Sequence, residues 1–187
     1  MQSPAIVYGR RSFLRAAAGG TAAIAAASLL PAGCASDYPQ AAGDGAELAS
    51  LSPKEYAVMR AAAEAMLVGV PVEPATVAAR VDRELAVAGD PMRADMKTVL
   101  QLVEHATPLG GHARRFTALA PAARLSYLNG WARSRFELRR AAFQALKGFV
   151  HYFAYMDDRT RPLTGFEGPW TERFALPITP VDYGEVV

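Results

Sequence analysis

The chain has 187 residues, with 20 Lys and Arg against 18 Asp and Glu, and a single cysteine. One thiol excludes an internal disulfide, a c-type haem attachment site and any four-cysteine zinc or iron–sulfur site. The first 33 residues carry three arginines and no acid, so the remainder has 17 basic and 18 acidic residues. This balance does not favour nucleic-acid binding, which needs a clustered basic surface, and we expect no nucleic-acid partner.

An export signal is predicted near the N-terminus. Its parts are an arginine pair, two apolar residues and an acid-free apolar run: Arg10, Arg11, Phe13, Leu14 and residues 16–30. The run is about 15 residues long, shorter than the ~20 that a membrane-crossing helix needs. The pattern is typical of a signal read by the twin-arginine translocase. Because that route carries folded proteins, it predicts a periplasmic chain that holds a cofactor itself or travels with a partner that does.

Cys34 closes the predicted signal, which we place at residues 1–34. It follows Ala32 and Gly33, as the lipidated residue of a lipoprotein does, although Pro31 stands where such sites usually carry Leu. Two readings stay open. Either Cys34 is lipidated and tethers the protein to a membrane face, or an ordinary signal peptidase cuts nearby.

Residues 35–50 are small and polar and predict a flexible tether. A helical domain is expected at 51–156, opened by a capping box of Ser52 and Glu55 with Pro53 at the first helical position. Helical spacing of apolar residues, broken at Gly and Pro, predicts the following helices in chain order: 53–67, 74–88, 91–105, a short turn at 116–120, one starting at 121, and 134–156.

The last two of these helices are assigned by their apolar faces. Leu125, Leu128 and Trp131 are expected to point inward from the fourth long helix. The fifth is apolar over most of its circumference, which predicts a central position in the bundle. No alternating strand pattern occurs. The fold class is therefore predicted to be all-α, an irregular bundle of about five helices.

Residues 157–187 differ in composition from the helical domain. They carry four prolines, three glycines and four interleaved aromatic residues. We expect an extended C-terminal tail, because prolines and glycines at this density exclude one long helix. The tail is too apolar for a disordered end, and it packs either on its own bundle or on a partner.

Candidate chemical groups are few. The histidines His105, His112 and His151 do not pair at metal-binding spacing, and Asp157 with Asp158 is more typical of turn formers or arginine partners than of catalytic acids. No glycine-rich nucleotide loop or recognisable nucleophile motif occurs. We therefore expect no catalytic residue, no metal and no cofactor in this chain, so that catalysis would belong to a partner.

Arg135 and Arg139 lie one turn apart, off the polar stripe of the fifth helix. They reach either to solvent and nearby acids such as Glu137, or to a partner protein. Arginine and tryptophan are favoured interface anchors.

The stretch from Leu128 to Trp170 carries a family resemblance, to which Leu51, Ser52 and Pro53 add weakly. Its residues are Trp131, Ser134, Arg135, Arg139, Phe143, Ala145, Leu146, Lys147, Tyr155, Asp157, Arg159, Thr160 and Gly165 to Trp170. With them the chain resembles the gluconate 2-dehydrogenase subunit 3 family, the small subunits of bacterial membrane-associated flavin dehydrogenases that act on sugars, sugar acids and other alcohols.

The resemblance implies a division of labour. A large FAD-containing subunit of the glucose–methanol–choline (GMC) oxidoreductase class would catalyse, a cytochrome c subunit often accepts the electrons, and the small subunit would carry the export signal for both. We then expect these residues at the partner interface: Trp131, Arg135, Arg139, Phe143, Tyr155, Gly168, Pro169 and Trp170. Surplus apolar surface would make the chain poorly soluble alone.

The chain also departs from the family pattern. Ala154 precedes Tyr155 where a Tyr-Tyr pair is common, Arg161 replaces a frequent Trp, and a Pro is missing near Asp158. These changes bear on the nature of the partner more than on the fold. The alternative hypothesis is a stand-alone periplasmic helical lipoprotein that binds a small apolar ligand between its helices.

Overall fold

Helices alone build the part of the chain that the computed structural model describes, residues 38–168, which confirms the all-α class there. The α-helices are α1 (Gln40–Gly43), α2 (Pro53–Met66), α3 (Pro74–Val87), α4 (Asp90–His105), α5 (Pro121–Ala132), α6 (Glu137–Tyr155) and α7 (Arg161–Thr164), with 3-10 helices at Thr107–Gly110, Phe116–Ala118 and Asp158–Thr160. Within this part, no helix has the length and apolar character to cross a membrane. Seven residues with predicted roles lie outside it: Arg10, Arg11, Phe13, Leu14, Cys34, Pro169 and Trp170.

The centre of the bundle is α2, not the fifth predicted helix. It begins with the expected capping box, in which the Glu55 amide donates to Ser52 Oγ at 3.3 Å and the Ser52 amide to Glu55 Oε2 at 2.8 Å. Nine of its 14 residues are buried, five of them alanines. Alanine lets neighbouring helices approach closely, and α2 packs against α3, α4, α5 and α6.

The prediction that α6 is central was wrong. Only one side of it is buried, through Ala142, Leu146, Val150, Phe153 and Ala154. Its other large apolar side chains are half-buried, as Phe143 and Phe149 are, or exposed, as Tyr152 and Tyr155 are. The sequence shows how many residues of a helix are apolar but not which of them neighbouring elements cover. A surface helix with surplus apolar side chains therefore has the same sequence pattern as a central helix.

Residues 38–50, expected within a flexible tether, instead lie against the helices. Tyr38 and Ala41 are buried, and residues Gln40–Gly43 form α1. Further along, the carboxylate of the buried Asp82 accepts hydrogen bonds from the amides of Ala49, Ser50 and Leu51 at 2.7, 2.9 and 2.6 Å. Ordered structure thus begins well before Leu51. The anchoring groups come from α3 and α4, which composition alone could not reveal.

On α5 the inward positions are partly different from those expected. Leu128 and Trp131 are fully buried, but Leu125 is 38% exposed and Tyr127 takes the inward place instead. The Tyr127 ring lies edge-on to the Trp131 ring at 5.5 Å and is 5.8 Å from the Phe116 ring, and its hydroxyl donates to the Val103 carbonyl at 3.2 Å. Tyr127 thus joins α5 to the 3-10 helix at Phe116–Ala118 and, through its hydroxyl, to α4.

The chain after α6 is helical in two short pieces that end at Thr164. Asp158–Thr160 and α7 turn the chain, and Gly165 closes α7 with a left-handed φ of 64°. The expected extended tail is therefore wrong for these residues. Its remainder, residues 169–187, lies outside the described part.

Candidate partner interface

The corner between α5 and α6 brings arginines and aromatic rings together. The Arg139 guanidinium lies 5.6 Å from the Trp131 ring and 5.8 Å from the Phe136 ring, and Arg135 lies 4.8 Å from Phe136. These distances are within the range of cation–π attraction. Phe136 is the N-cap residue of α6, where extended backbone carries its ring outward, and 53% of it is exposed.

Trp131 was predicted at the partner interface, but the structure buries it in the core. Only 1% of it is exposed, because it packs in the core behind Arg139. A partner at this corner would therefore touch Arg135, Phe136 and the Arg139 guanidinium rather than the indole. Phe136 was absent from the predicted interface, although a bulky aromatic just before a helix start was a signal that could have identified it.

Phe143 follows Arg139 by one turn of α6, whereas Tyr155 and Gly168 lie away from this corner. Phe143 is half-buried against the core, whereas Tyr155 is 48% exposed and Gly168 half-buried with a φ of 103°. Arg139 and Tyr155 are 16 residues apart on α6, about 24 Å along its axis. The predicted interface residues thus form two separate surfaces rather than one.

The second surface lies at the C-terminal end of α6. Its large apolar side chains are each about half or more exposed: Tyr152, Tyr155, Met156, Leu163 and Phe166. The Tyr152 ring packs edge-on against Phe153 at 5.1 Å, which orders it without burying it. Exposed aromatic side chains at this density are characteristic of contact surfaces more than of free protein surface.

A buried polar network joins the N-terminal segment to the bundle. Tyr38 donates its hydroxyl to Glu104 Oε1 at 3.0 Å, and Thr117 donates to the same carboxyl group from its hydroxyl at 2.7 Å and its amide at 3.0 Å. Arg115 donates to the Tyr38 hydroxyl at 2.9 Å. Burial, with Glu104 adding to it, raises the pKa of Tyr38 to about 12. Sequence reasoning missed this network, since its members are 66 residues apart.

Asp157 serves as an arginine partner, as its position after the long helix indicated. Its carboxylate accepts from Arg159 Nε at 2.7 Å and from Arg80 at 2.8 Å. The hydrogen bond from the Arg159 side chain, more than any other contact, holds the pKa of Asp157 well below its ordinary value of 3.8. The Arg80 contact links α3 to the chain that follows α6, and the Arg159 contact orders that chain locally.

The histidines are dispersed in the fold. Burial lowers the pKa of His105, the His112 ring lies edge-on at 5.9 Å from Tyr127, and His151 Nδ1 lies 2.9 Å from the Lys147 carbonyl. Between residues 38 and 168, no group of three His, Cys, Asp or Glu side chains is arranged to hold a metal ion.

Two clefts bear on the hypothesis of a ligand-binding protein. One, of about 500 Å³, lies between residues 44–48 and α3 and carries three acidic side chains, Asp44, Glu47 and Asp82. Such walls do not suit a small apolar ligand, which needs a largely apolar pocket. The other, of about 600 Å³, is lined by α5 and the adjoining Arg133 alone and is a groove on the surface of that helix.

Comparisons with family models, with curated proteins and with solved structures returned no match. The resemblance to the gluconate 2-dehydrogenase subunit 3 family therefore depends on the residues from Leu128 to Trp170 quoted above.

Proposed function

We propose that this chain is a non-catalytic small subunit of a membrane-associated periplasmic flavin dehydrogenase. The catalytic partner would be an FAD-containing enzyme of the GMC class acting on a sugar, a sugar acid or another alcohol. The chain would escort that folded partner through twin-arginine export and stabilise it afterwards. A cytochrome c subunit would complete the assembly where electrons pass to the membrane.

The exposed aromatic surface of α6 is the observation that carries this proposal. Phe136 at one end and Tyr152 and Tyr155 at the other are each about half or more exposed. A free monomer would gain by burying these side chains, at roughly 25 cal/mol per Å² of apolar surface removed from water. A permanent partner explains why a helix with this many apolar residues lies at the surface of the bundle.

The export signal supports the escort role. Arg10 and Arg11 predict a route for folded cargo, and the resemblance assigns the cofactor, FAD, to the partner rather than to this chain. The complex, or a lipid on Cys34, would hold the assembly at the periplasmic side of the cytoplasmic membrane. The acidic cleft beside α3 gives no support to the alternative of an apolar-ligand carrier.

The location of the partner tests the escort role. The flavin-containing protein that co-purifies with the chain is identified by mass and then followed in periplasmic and cytoplasmic fractions. In cells whose chain carries Arg10→Lys and Arg11→Lys, we expect that flavoprotein to stay in the cytoplasm. A matched strain with Arg83→Lys and Arg114→Lys, two exposed arginines of the domain, should export it normally. Equal periplasmic amounts in both strains would reject the escort role.

A further inference from the structure

Positive charge without ion-pair partners is concentrated at the corner between α5 and α6. Six arginines of residues 38–168 pair with carboxylates: Arg60, Arg80, Arg93, Arg124, Arg159 and Arg161. In contrast, four arginines within the eight residues 133–140 have no carboxylate within ion-pair distance among the described residues: Arg133, Arg135, Arg139 and Arg140. Glu137 is the one acid in that stretch. Arg83 and Arg114 also lack an ion pair among the described residues, but they are isolated, whereas these four arginines lie within eight residues of one another.

Three of these arginines also stand where a helix disfavours them. Arg135 precedes α6, Arg139 and Arg140 lie at its start, and the N-terminal end of a helix dipole is positive and favours anionic groups. Arg133 differs, because it caps the C-terminal end of α5, where positive charge is favoured. The four guanidinium groups also repel one another. A sequence that breaks a local rule without compensation inside the fold commonly does so at a functional site.

The aromatic rings hold the guanidinium groups in place. Arg139 lies between the Trp131 and Phe136 rings, and Arg135 stacks on Phe136. Arg140 donates to the Ser134 carbonyl at 2.6 Å, and Ser134 Oγ accepts from the Phe136 amide at 3.2 Å, which orders the turn between the helices. Cation–π stacking leaves the N–H groups of arginine free to bind carboxylates in the bidentate manner that suits its planar fork.

We propose that this corner, formed by Arg133, Arg135, Phe136, Arg139 and Arg140, docks an acidic segment of the catalytic partner. Carboxylates of that segment pair with the ordered guanidinium groups, and Phe136 inserts into an apolar recess beside them. The inference rests on the proposed function for the partner's identity. A membrane surface is the poorer match, because diffuse lipid charge does not require guanidinium groups fixed by stacking.

A photo-crosslinker at the corner tests the occupant directly. The full chain is expressed in its own cells with Phe136→p-benzoylphenylalanine, and a control chain carries the same group at Val87, which is 80% exposed on α3. After irradiation, crosslinked peptides are mapped by mass spectrometry. We expect Phe136 to crosslink to an Asp- and Glu-rich segment of the flavoprotein and the Val87 position not to do so.

Charge reversal then tests the mechanism. Arg133→Glu with Arg135→Glu changes two exposed side chains, and Arg83→Glu with Arg114→Glu is a matched control on exposed arginines that also lack an ion pair among the described residues. We expect the first pair to lower the amount of co-purified flavoprotein at least about tenfold, a change of about 1.4 kcal/mol in binding free energy. The control should leave that amount unchanged, and thermal unfolding should show both variants folded.

The outcomes separate the two proposals. If the flavoprotein is captured but Phe136 forms no crosslink to it, the docking corner is overturned and the proposed function stands. The same conclusion follows if the Arg133→Glu/Arg135→Glu chain captures as much flavoprotein as the unchanged chain. A crosslink to an acidic segment of a protein without flavin supports the corner and rejects the proposed function. A crosslink from Phe136 to residues 169–187 of the same chain, or to lipid, overturns the corner, and so does the absence of any crosslink.

Discussion

Tyr38 donates a hydrogen bond to Glu104 across 66 residues of sequence, at 3.0 Å and between two buried side chains. This bond fixes the N-terminal segment of the domain to α4. The predicted export signal ends at Cys34, so only residues 35–37 separate it from a buried anchor. Tyr38 is four residues after Cys34, a separation that spans at most about 14 Å when the chain is fully extended. A lipid on Cys34 would therefore hold the domain against the membrane rather than on a long tether.

Removing the Tyr38 hydroxyl should destabilise the domain. In Tyr38→Phe the ring stays buried but Glu104 and Arg115 each lose a partner, and we expect a loss of about 1–3 kcal/mol in the free energy of unfolding, measured in urea. Tyr155→Phe, which removes an exposed hydroxyl, is the control and should change stability by less than about 0.5 kcal/mol. Equal effects in the two variants would show that the network contributes nothing specific.

Alkaline pH should unfold the domain through its buried tyrosines. Burial, the largest cause in each case, raises the pKa of Tyr38 and of Tyr56 from 10.0 to about 12 and raises that of Tyr127 as well. Their contribution to stability is therefore fully present below pH 10.0, where both states are protonated, and is lost as pH rises from 10.0 toward 12. An ultraviolet titration of phenolate should show them ionising late, together with loss of helix. Ionisation of all tyrosines near pH 10.0 in the folded chain would contradict this.

Asp157 should contribute to the acid limb of stability. Its pKa is depressed chiefly by the hydrogen bond from Arg159, so its contribution is present above pH 3.8 and is lost as pH falls below that value. Asp157→Asn should lower the melting temperature at neutral pH. The melting temperature of this variant should then fall less than that of the wild type as the pH is lowered. Asp158→Asn, which alters an exposed neighbour paired with Arg161, is the matched control and should leave the melting temperature at neutral pH nearly unchanged. Identical acid limbs for wild type and Asp157→Asn would refute the assignment.

Two leucines on α5 provide a matched test of the packing. Leu128→Ala removes a fully buried side chain and should cost about 2–5 kcal/mol of unfolding free energy. Leu125→Ala, three residues earlier on a side chain that is 38% exposed, should cost about 1 kcal/mol or less. Denaturant unfolding of both variants measures the difference. A reversed order would mean that α5 is rotated about its axis relative to this structure.

Local signals in the sequence were sufficient for much of the fold. Ser52 and Glu55 are three residues apart and predicted the start of α2, and Pro74 and Pro121 marked the first turns of α3 and α5. The prediction that Leu125 points inward was wrong. Successive residues of a helix are rotated by about 100°, which places Leu125 about 120° around the helix axis from the buried Trp131.

What depends on distant residues could not be predicted. The carboxylate of Asp82 binds the amide of Ala49 from 33 residues away, so the ordered segment looked like a tether. Among the candidate interface residues, the arginines Arg135 and Arg139 were identified from their place off the polar stripe. Their stacking on Phe136, and the burial of Trp131 behind them, depend on how α5 and α6 meet.

Affinity capture of the full chain from its own periplasmic and membrane fractions tests the central claim most directly. The captured material is analysed by visible absorption, by mass and by dehydrogenase activity with sugars, sugar acids and alcohols. We expect a larger protein with the absorption of an oxidised flavin to elute in constant ratio with this chain. A colourless, monodisperse chain that elutes alone would contradict the assignment as a dehydrogenase subunit.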